Sequence, residues 1–173
     1  MRIKSATSPR LIAFGDNDVD CYETTGMMYP GGNALNVAVF ARRAGADAAF
    51  IGAMGDDPAG DHMRAALRAE DVDISRLRTG AGRSAHCMLR NSPTGEREFL
   101  SADLGVSIIA PEPEDLQMIT NAHAVHTGRS SHVVPHLPAF AEHSRLSFDF
   151  ADQTEPDYIA QVAPFCYLAS LSG

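Results

Sequence analysis

Two adjacent glycines running straight into an amide-rich helix start, Pro30-Gly31-Gly32-Asn33-Ala34-Leu35-Asn36-Val37-Ala38, constrain this chain more than any other segment. The glycines let the backbone turn sharply and approach a ligand without side chains in the way. Asn33 and Asn36 supply amide donors and acceptors, the groups that hold a polyhydroxyl compound. From Ala34 to Ala44 the apolar residues Leu35, Ala38, Val39 and Phe40 recur at helical spacing, and Gly45 stops the helix. The turn is therefore expected to aim a helix N-terminus at whatever sits there. The segment reads as the floor of a sugar pocket.

The 173 residues suffice for one domain. A net charge of −8, with Lys4 as the single lysine and no basic stripe, argues against a nucleic-acid partner. No stretch approaches the run of about 18 apolar residues that a membrane span requires, and Met1 to Pro9 lacks a signal-peptide core and is expected to fray. Cys21, Cys87 and Cys166 are an odd, widely spaced set that suits reduced thiols in a cytoplasm. The seven histidines do not cluster with them at zinc-ligand spacing, so no metal site is expected. No activating neighbour marks Cys21 as a catalytic thiol.

Strand-like and helix-like segments alternate along most of the chain. Leu11 to Phe14 and Ala48 to Ile51 read as strands, and Pro58 opens a helix running to about Glu70. Ser84 to Arg90 and Glu96 to Ser101 are extended stretches joined by the turn-rich Asn91-Ser92-Pro93-Thr94-Gly95. Helical patterns over Glu112 to Thr120, Pro135 to His143 and Glu155 to Ala163 alternate with extended ones over Ala124 to Thr127, Leu146 to Phe150 and Phe165 to Ala169. Such alternation predicts an α/β fold, a mainly parallel sheet covered by helices on both faces. The hairpin around Pro93 and the stretch from Cys21 to Tyr29 are expected to lie outside that sheet.

Asp20 follows the first strand by a few residues, on the side where open α/β sheets bind ligands, and its carboxylate can accept charge-assisted hydrogen bonds from hydroxyls. The competing reading makes Asp16, Asn17, Asp18 and Asp20 a solvated loop. In Gly55-Asp56-Asp57 the carboxylates are read as a helix cap rather than a metal site. Arg97 leads back from the hairpin, where it either reaches an anionic or polyhydroxyl ligand or pairs with Glu96 or Glu98. Asp149 ends a strand on the ligand side, with Asp152 nearby. His123, His126, His132, His136 and His143 fall on different elements and are read as core or surface residues.

Taken in order, Gly15-Asp16-Asn17-Asp18-Val19-Asp20, the Gly31–Asn36 turn, Gly45, Gly52, Gly55-Asp56-Asp57-Pro58-Ala59-Gly60 and the hairpin at Ser92–Arg97 resemble the ribokinase-like (phosphofructokinase-B type) carbohydrate kinases. Within that family the chain looks most like the fructoselysine 6-kinases, which share the Gly-Asp-Asn-x-Val-Asp opening, the Gly-Gly-Asn-Ala-x-Asn-Val-Ala-Val turn and a Phe-Asp-Phe strand. The resemblance covers about Leu11 to Ala169. It implies a three-layer α/β/α domain with a small β lid, the lid strands lying around residues 21–29 and 84–101. It also implies phosphorylation by ATP and Mg2+ of a sugar hydroxyl, on a ketose or a fructosamine such as fructoselysine at its 6-hydroxyl. Sugar contacts then fall on Asp18, Asp20, Gly31, Gly32, Asn33, Asn36 and Arg97, with Asp149 on the phosphate and metal side. Pairing of two copies through the lid strands is the oligomer such a lid allows.

The family's catalytic aspartate ends a glycine-rich turn of Gly-Ala-Gly-Asp type. Gly80-Ala81-Gly82-Arg83 comes nearest here, with arginine in place of the aspartate and in the wrong part of the chain. No catalytic residue is therefore assigned. The resemblance implies that residues 1–173 are the sugar-binding part, truncated on the C-terminal side with the nucleotide-binding part absent, and without kinase activity alone. The alternative is a non-catalytic sugar-binding or vestigial half-domain. A dinucleotide oxidoreductase is excluded, because the first strand is followed by only the first glycine of Gly-x-Gly-x-x-Gly and by carboxylates where a pyrophosphate would sit.

Overall fold

Strict two-residue alternation in short apolar strands sets the architecture. In β1 (Arg10–Phe14), Ile12 and Phe14 face one way and Ala13 the other, and all three are buried. A computed structural model describes residues 8–92 and 94–172, which places most of the Met1–Pro9 reading, and Pro93 of the hairpin turn, outside the described residues. From β1 the chain enters β2 (Asp18–Tyr22), β3 (Met27–Gly31), α1 (Asn33–Arg43), β4 (Asp47–Ile51), β5 (Ala53–Gly55) and α2 (Pro58–Ala69). It continues through β6 (Arg78–Gly80), β7 (His86–Asn91), β8 (Arg97–Asp103), α3 (Pro113–Thr120), β9 (Ala124–Gly128), α4 (Leu137–His143), β10 (Arg145–Asp149), α5 (Pro156–Val162) and β11 (Leu168–Ser170).

Five strands form a wholly parallel sheet in the order β11-β10-β9-β1-β4. Ile12 and Phe14 join Ile51, Val125, Leu146 and Phe148 on one face, against Ile119 of α3, Leu137 and Phe140 of α4 and Val162 of α5. Ala13 and Phe50 join Ala34, Leu35 and Ala38 of α1 and Met63 and Leu67 of α2 on the other. Each fully buried large side chain contributes about 1.5–3 kcal/mol. The small Ala13, Ala34 and Ala38 let α1 lie close on the sheet. From β1 the chain moves to β4 on one side, and from β9 to β10 on the other. The crevice beyond the carboxyl ends of β1 and β9 is thus the switch point where such sheets hold ligands.

A second sheet, β3-β2-β7-β8, stands apart as the lid, with β2–β3 and β7–β8 antiparallel and β2–β7 parallel. Against the expected 21–29, β2 starts earlier, because Val19 turns into the core and recruits Asp18 and Asp20 to the strand, and β3 runs on into the Gly-Gly turn; against the expected 84–101, β7 and β8 span 86–103. β5 and β6 pair as a further small parallel sheet that the sequence reading does not contain. The expected helix over 135–143 divides into a 3₁₀ turn at Val134–His136 and α4, and Phe165 belongs to a 3₁₀ turn rather than to the last strand. Asp57 caps α2 as expected, accepting from the Gly60 N–H at 2.8 Å.

Asp115 in the first turn of α3 is fully buried; its Oδ2 accepts from the Glu112 N–H at 2.8 Å and from Arg78, and its Oδ1 from the Arg76 Nε–H at 2.7 Å. It ties the segment after α2 to α3. Removing one partner of a buried ion pair strands the others. Asp115→Ala is expected to lower unfolding stability by about 3 kcal/mol, measured as a fall in the urea midpoint at unchanged slope. An unshifted midpoint would mean the two arginines are held by something else.

Candidate functional site

The three residues between β1 and β2 build the base of the site. Asp16 is buried, and its Oδ2 accepts from the Asn33 N–H at 2.6 Å while Oδ1 accepts from the Ala34 N–H at 3.4 Å and the Ser131 hydroxyl at 2.7 Å. Its carbonyl oxygen accepts from the Leu35 N–H at 3.3 Å. The first amides of α1 are therefore capped from within the protein. This corrects the expectation that the helix N-terminus points at a ligand: an aspartate already holds it. Asn17 is buried too, its amide donating to the Ala53 carbonyl at 3.0 Å. The solvated-loop reading fails for both.

Gly32 has φ 95°, and a Cβ there would lie 2.5 Å from the Asn17 Cα, so only glycine fits. At Gly31 a Cβ would lie 2.3 Å from the Asp18 Oδ1. The bare backbone of Gly31 makes room for the Asp18 and Asp20 carboxylates, and that of Gly32 for the Asn17 backbone.

Asp18 and Asp20 project from one face of β2, with Cys87 of β7 beside them; an oxygen of each carboxylate and the Cys87 sulfur lie within 4.8 Å of one another. The Cys87 thiol approaches the Asp18 Oδ2 at 3.4 Å, and Oδ1 of Asp18 is buried without a partner among the described residues. Burial first, then the neighbouring Asp20, pushes the Asp18 carboxyl up to about 6. Burial raises Asp20 as well, against the pull of Arg97. Burial and the Asp18 carboxylate push the Cys87 thiol up to about 12, so it stays protonated. Arg97 sits 5.1 Å over the Phe99 ring and forms no ion pair among the described residues, leaving its charge to the site.

Together these residues enclose a cavity of about 470 Å³ at the switch point, whose lining includes Asp16, Asp18, Asp20, Gly32, Asn33, Asn36 and Arg97. Gly31 and Asp149 are not part of that lining. Asn36 makes no side-chain hydrogen bond among the described residues and faces the cavity free. Asn33 is engaged: its Nδ2 donates to the Asp149 Oδ2 at 2.7 Å and its Oδ1 faces the His126 Nε2 at 2.6 Å. With Asn33 accepting there, Nε2 carries the proton and Nδ1 accepts from the Ser147 hydroxyl at 3.0 Å. Burial pushes His126 below its ordinary value despite Asp16 and Asp149 nearby, so the ring is neutral. The other Asp149 oxygen accepts from the Ser170 hydroxyl at 2.9 Å and the Ala151 N–H at 3.2 Å. Asp152 pairs with Arg129 at the surface.

Sequence reasoning does not find His126, Ser131 or Cys87. Their importance comes from partners 69 to 115 residues away, which no local spacing encodes. The one available signal is position, since His126 and Ser131 fall near the carboxyl end of a predicted strand.

A family model described as pfkB family carbohydrate kinase matches residues 6–159. Fructosamine kinase FrlD of Bacillus subtilis (strain 168) is 34% identical over 168 residues, covering 95% of this chain and 59% of that protein. Fructoselysine 6-kinase of Escherichia coli (strain K12) is 32% identical over 145 residues, covering 83% and 55% respectively. The structure of Arabidopsis thaliana ribokinase complexed with ribose and ATP superposes with a TM-score of 0.72 at 20% identity, over 83% of this chain and 54% of that one. The chain thus spans between half and three-fifths of the length of these proteins.

Asp18 gives the site a signature in stability. Its carboxyl titrates near 6 when folded and at 3.8 as the free side chain, so the stability it contributes is full below about pH 4 and is lost as pH rises through 6. Asp18→Asn is therefore expected to stabilise the fold at pH 7 by up to about 3 kcal/mol and to have little effect at pH 4. Urea unfolding at the two pH values checks this; an equal effect at both would remove the buried-charge explanation.

Proposed function

The chain belongs to the pfkB family of carbohydrate kinases, and we propose that it carries the acceptor side of an ATP-dependent phosphoryl transfer to a ketose or a fructosamine such as fructoselysine, at the 6-hydroxyl. The observation that carries this reading is the pair of carboxylates, Asp18 and Asp20, facing a cavity of about 470 Å³ beside an Asn36 amide with no side-chain hydrogen bond and an Arg97 with no ion pair among the described residues. Carboxylates accept from hydroxyls, while the amide and guanidinium donate to them, which is the mixture a polyhydroxyl ligand needs. The lid grips the sugar at Asp18 and Asp20, leaving its other end toward Ser130 and Ala151 at the strand ends, where a hydroxyl meets the phosphate donor. The names of the two curated relatives support a fructosamine as acceptor. Pairing of two copies through the lid belongs to the same reading, since the outer strand β8 is exposed along its whole length.

ATP supplies the phosphoryl group and Mg2+ neutralises its charge in such a reaction. Asp149 fits the metal poorly, because both its oxygens already accept hydrogen bonds from the protein. The set Asp18, Asp20 and Cys87 includes a thiol, unsuited to a hard cation that seeks oxygen. No step through the metal is assigned to these residues.

Calorimetric titration with D-fructose and with fructoselysine tests the reading. Both are expected to bind, and Asp20→Asn is expected to weaken binding about 10- to 100-fold, the worth of a hydrogen bond to a charged acceptor. Affinity should also rise between pH 5 and 7, as Asp18 loses its proton near 6 and becomes a full acceptor. Absence of binding, or indifference to Asp20→Asn, would overturn the assignment.

A further inference from the structure

Beyond Asp20 the lid holds a second hollow of about 340 Å³, lined by Asp20, Tyr22, Thr25, Tyr29 and Asn91. Only Asp20 is common to it and the sugar cavity. Its shape follows from strand geometry. Tyr22 lies two residues beyond Asp20 on β2 and so shares its face, while Tyr29 is the cross-strand partner of Asp20 on β3. The two rings meet edge to face, centroids 5.9 Å apart. Tyr29 is half exposed, so its ring is open to a ligand.

The lining is one-sided in charge. It carries a carboxylate, two aromatic rings, a threonine hydroxyl and an amide, and no basic side chain. Arg90, next to Asn91 on β7, is taken by Glu23, its Nε and Nη2 donating to one carboxylate oxygen at 2.9 and 2.7 Å, and Arg97, which acts on Asp20, lines the sugar cavity instead. A carboxylate beside aromatic faces attracts a cation and repels an anion. A neutral ketose seated over Asp18 and Asp20 would leave this hollow empty.

We propose that the hollow is a subsite for a protonated amine substituent on the ketose, with Asp20 as counter-ion and Tyr22 and Tyr29 as the aromatic wall. This rests on the reading that the main cavity holds the sugar. The end of the sugar held by the lid is the end remote from the strand termini, so a substituent there runs past Asp20 along β2. Asp20 then serves two purposes: one oxygen for a sugar hydroxyl, the other for the ammonium. The subsite makes the protein a selector for amine-bearing ketoses over plain ones.

The test compares three probes by calorimetry: D-fructose, 1-deoxy-1-propylamino-D-fructose, and the neutral 1-O-propyl-D-fructose. The amine is expected to bind about 5- to 10-fold tighter than the ether, from cation–π and carboxylate attraction at a half-exposed site. The double variant Tyr22→Leu/Tyr29→Leu should reduce that ratio to about twofold while leaving D-fructose binding unchanged, and Tyr29→Phe should keep the ratio, because the ring face survives. Asn91→Asp should raise the ratio, an effect that misfolding cannot produce. If D-fructose binds but amine and ether bind alike, or the preference ignores both Tyr22→Leu/Tyr29→Leu and Asn91→Asp, the subsite is refuted and the sugar cavity stands. If none of the three sugars binds, the subsite fails together with the reading beneath it.

Discussion

Asp16 is the joint on which the site is assembled. Its carboxylate and carbonyl take up the Asn33, Ala34 and Leu35 amides, and through Ser131 it fastens the turn after β9 to the turn after β1. A helix start buried against a sheet leaves several N–H groups without partners, and each unsatisfied one costs about 1–3 kcal/mol. Satisfying them with a side chain from β1's own exit fixes α1, β1 and β9 relative to one another at the switch point. It also fixes the root of the lid, since Asp18 begins β2 two residues later.

Beneath that joint runs a second polar chain, from Ser147 through His126 and Asn33 to Asp149 and Ser170. Because each member has its partners inside the protein, the chain holds the strand ends and the α1 start in register instead of presenting groups to a ligand. Asn33 shows the division of labour most plainly. Its neighbour in the motif, Asn36, faces the cavity with an amide that has no side-chain partner among the described residues, whereas Asn33 lines the same cavity with its side chain and its backbone N–H committed elsewhere.

The contrast explains which features were legible in the sequence. The helix after Gly32, the proline-started helix capped by Asp57, the parallel sheet and the paired lid stretches follow from local signals: periodicity, caps and turn residues. Asp20 was legible by place, a few residues past a strand. The role of Asp16 was not, because its carboxylate meets a helix start 17 residues on and a hydroxyl 115 residues on. Nor was the early start of β2, where a run of acids looks like a loop until Val19 is seen to be buried. His126 resembles any strand histidine until Asn33 arrives from 93 residues away.

The segment Asp18-Val19-Asp20-Cys21-Tyr22 carries the argument one step further. A strand of period two divides its side chains between two faces, so the residue that anchors the lid to the core, Val19, obliges Asp18 and Asp20 to share the opposite face. Burial of the Asp18 carboxylate is unfavourable, and repulsion from Asp20 on the same face adds to it. Nothing in the packing requires acids there; a strand with threonine at both positions would anchor as well. The Arg97 guanidinium relieves the repulsion only in part, since it forms no direct pair with either acid. On the proposed reading, hydroxyl or ammonium donors would relieve an arrangement the fold tolerates at a loss, and the unfavourable charge would be a source of affinity. One alternation thus fixes where the lid sits and which charge it presents to the cavity.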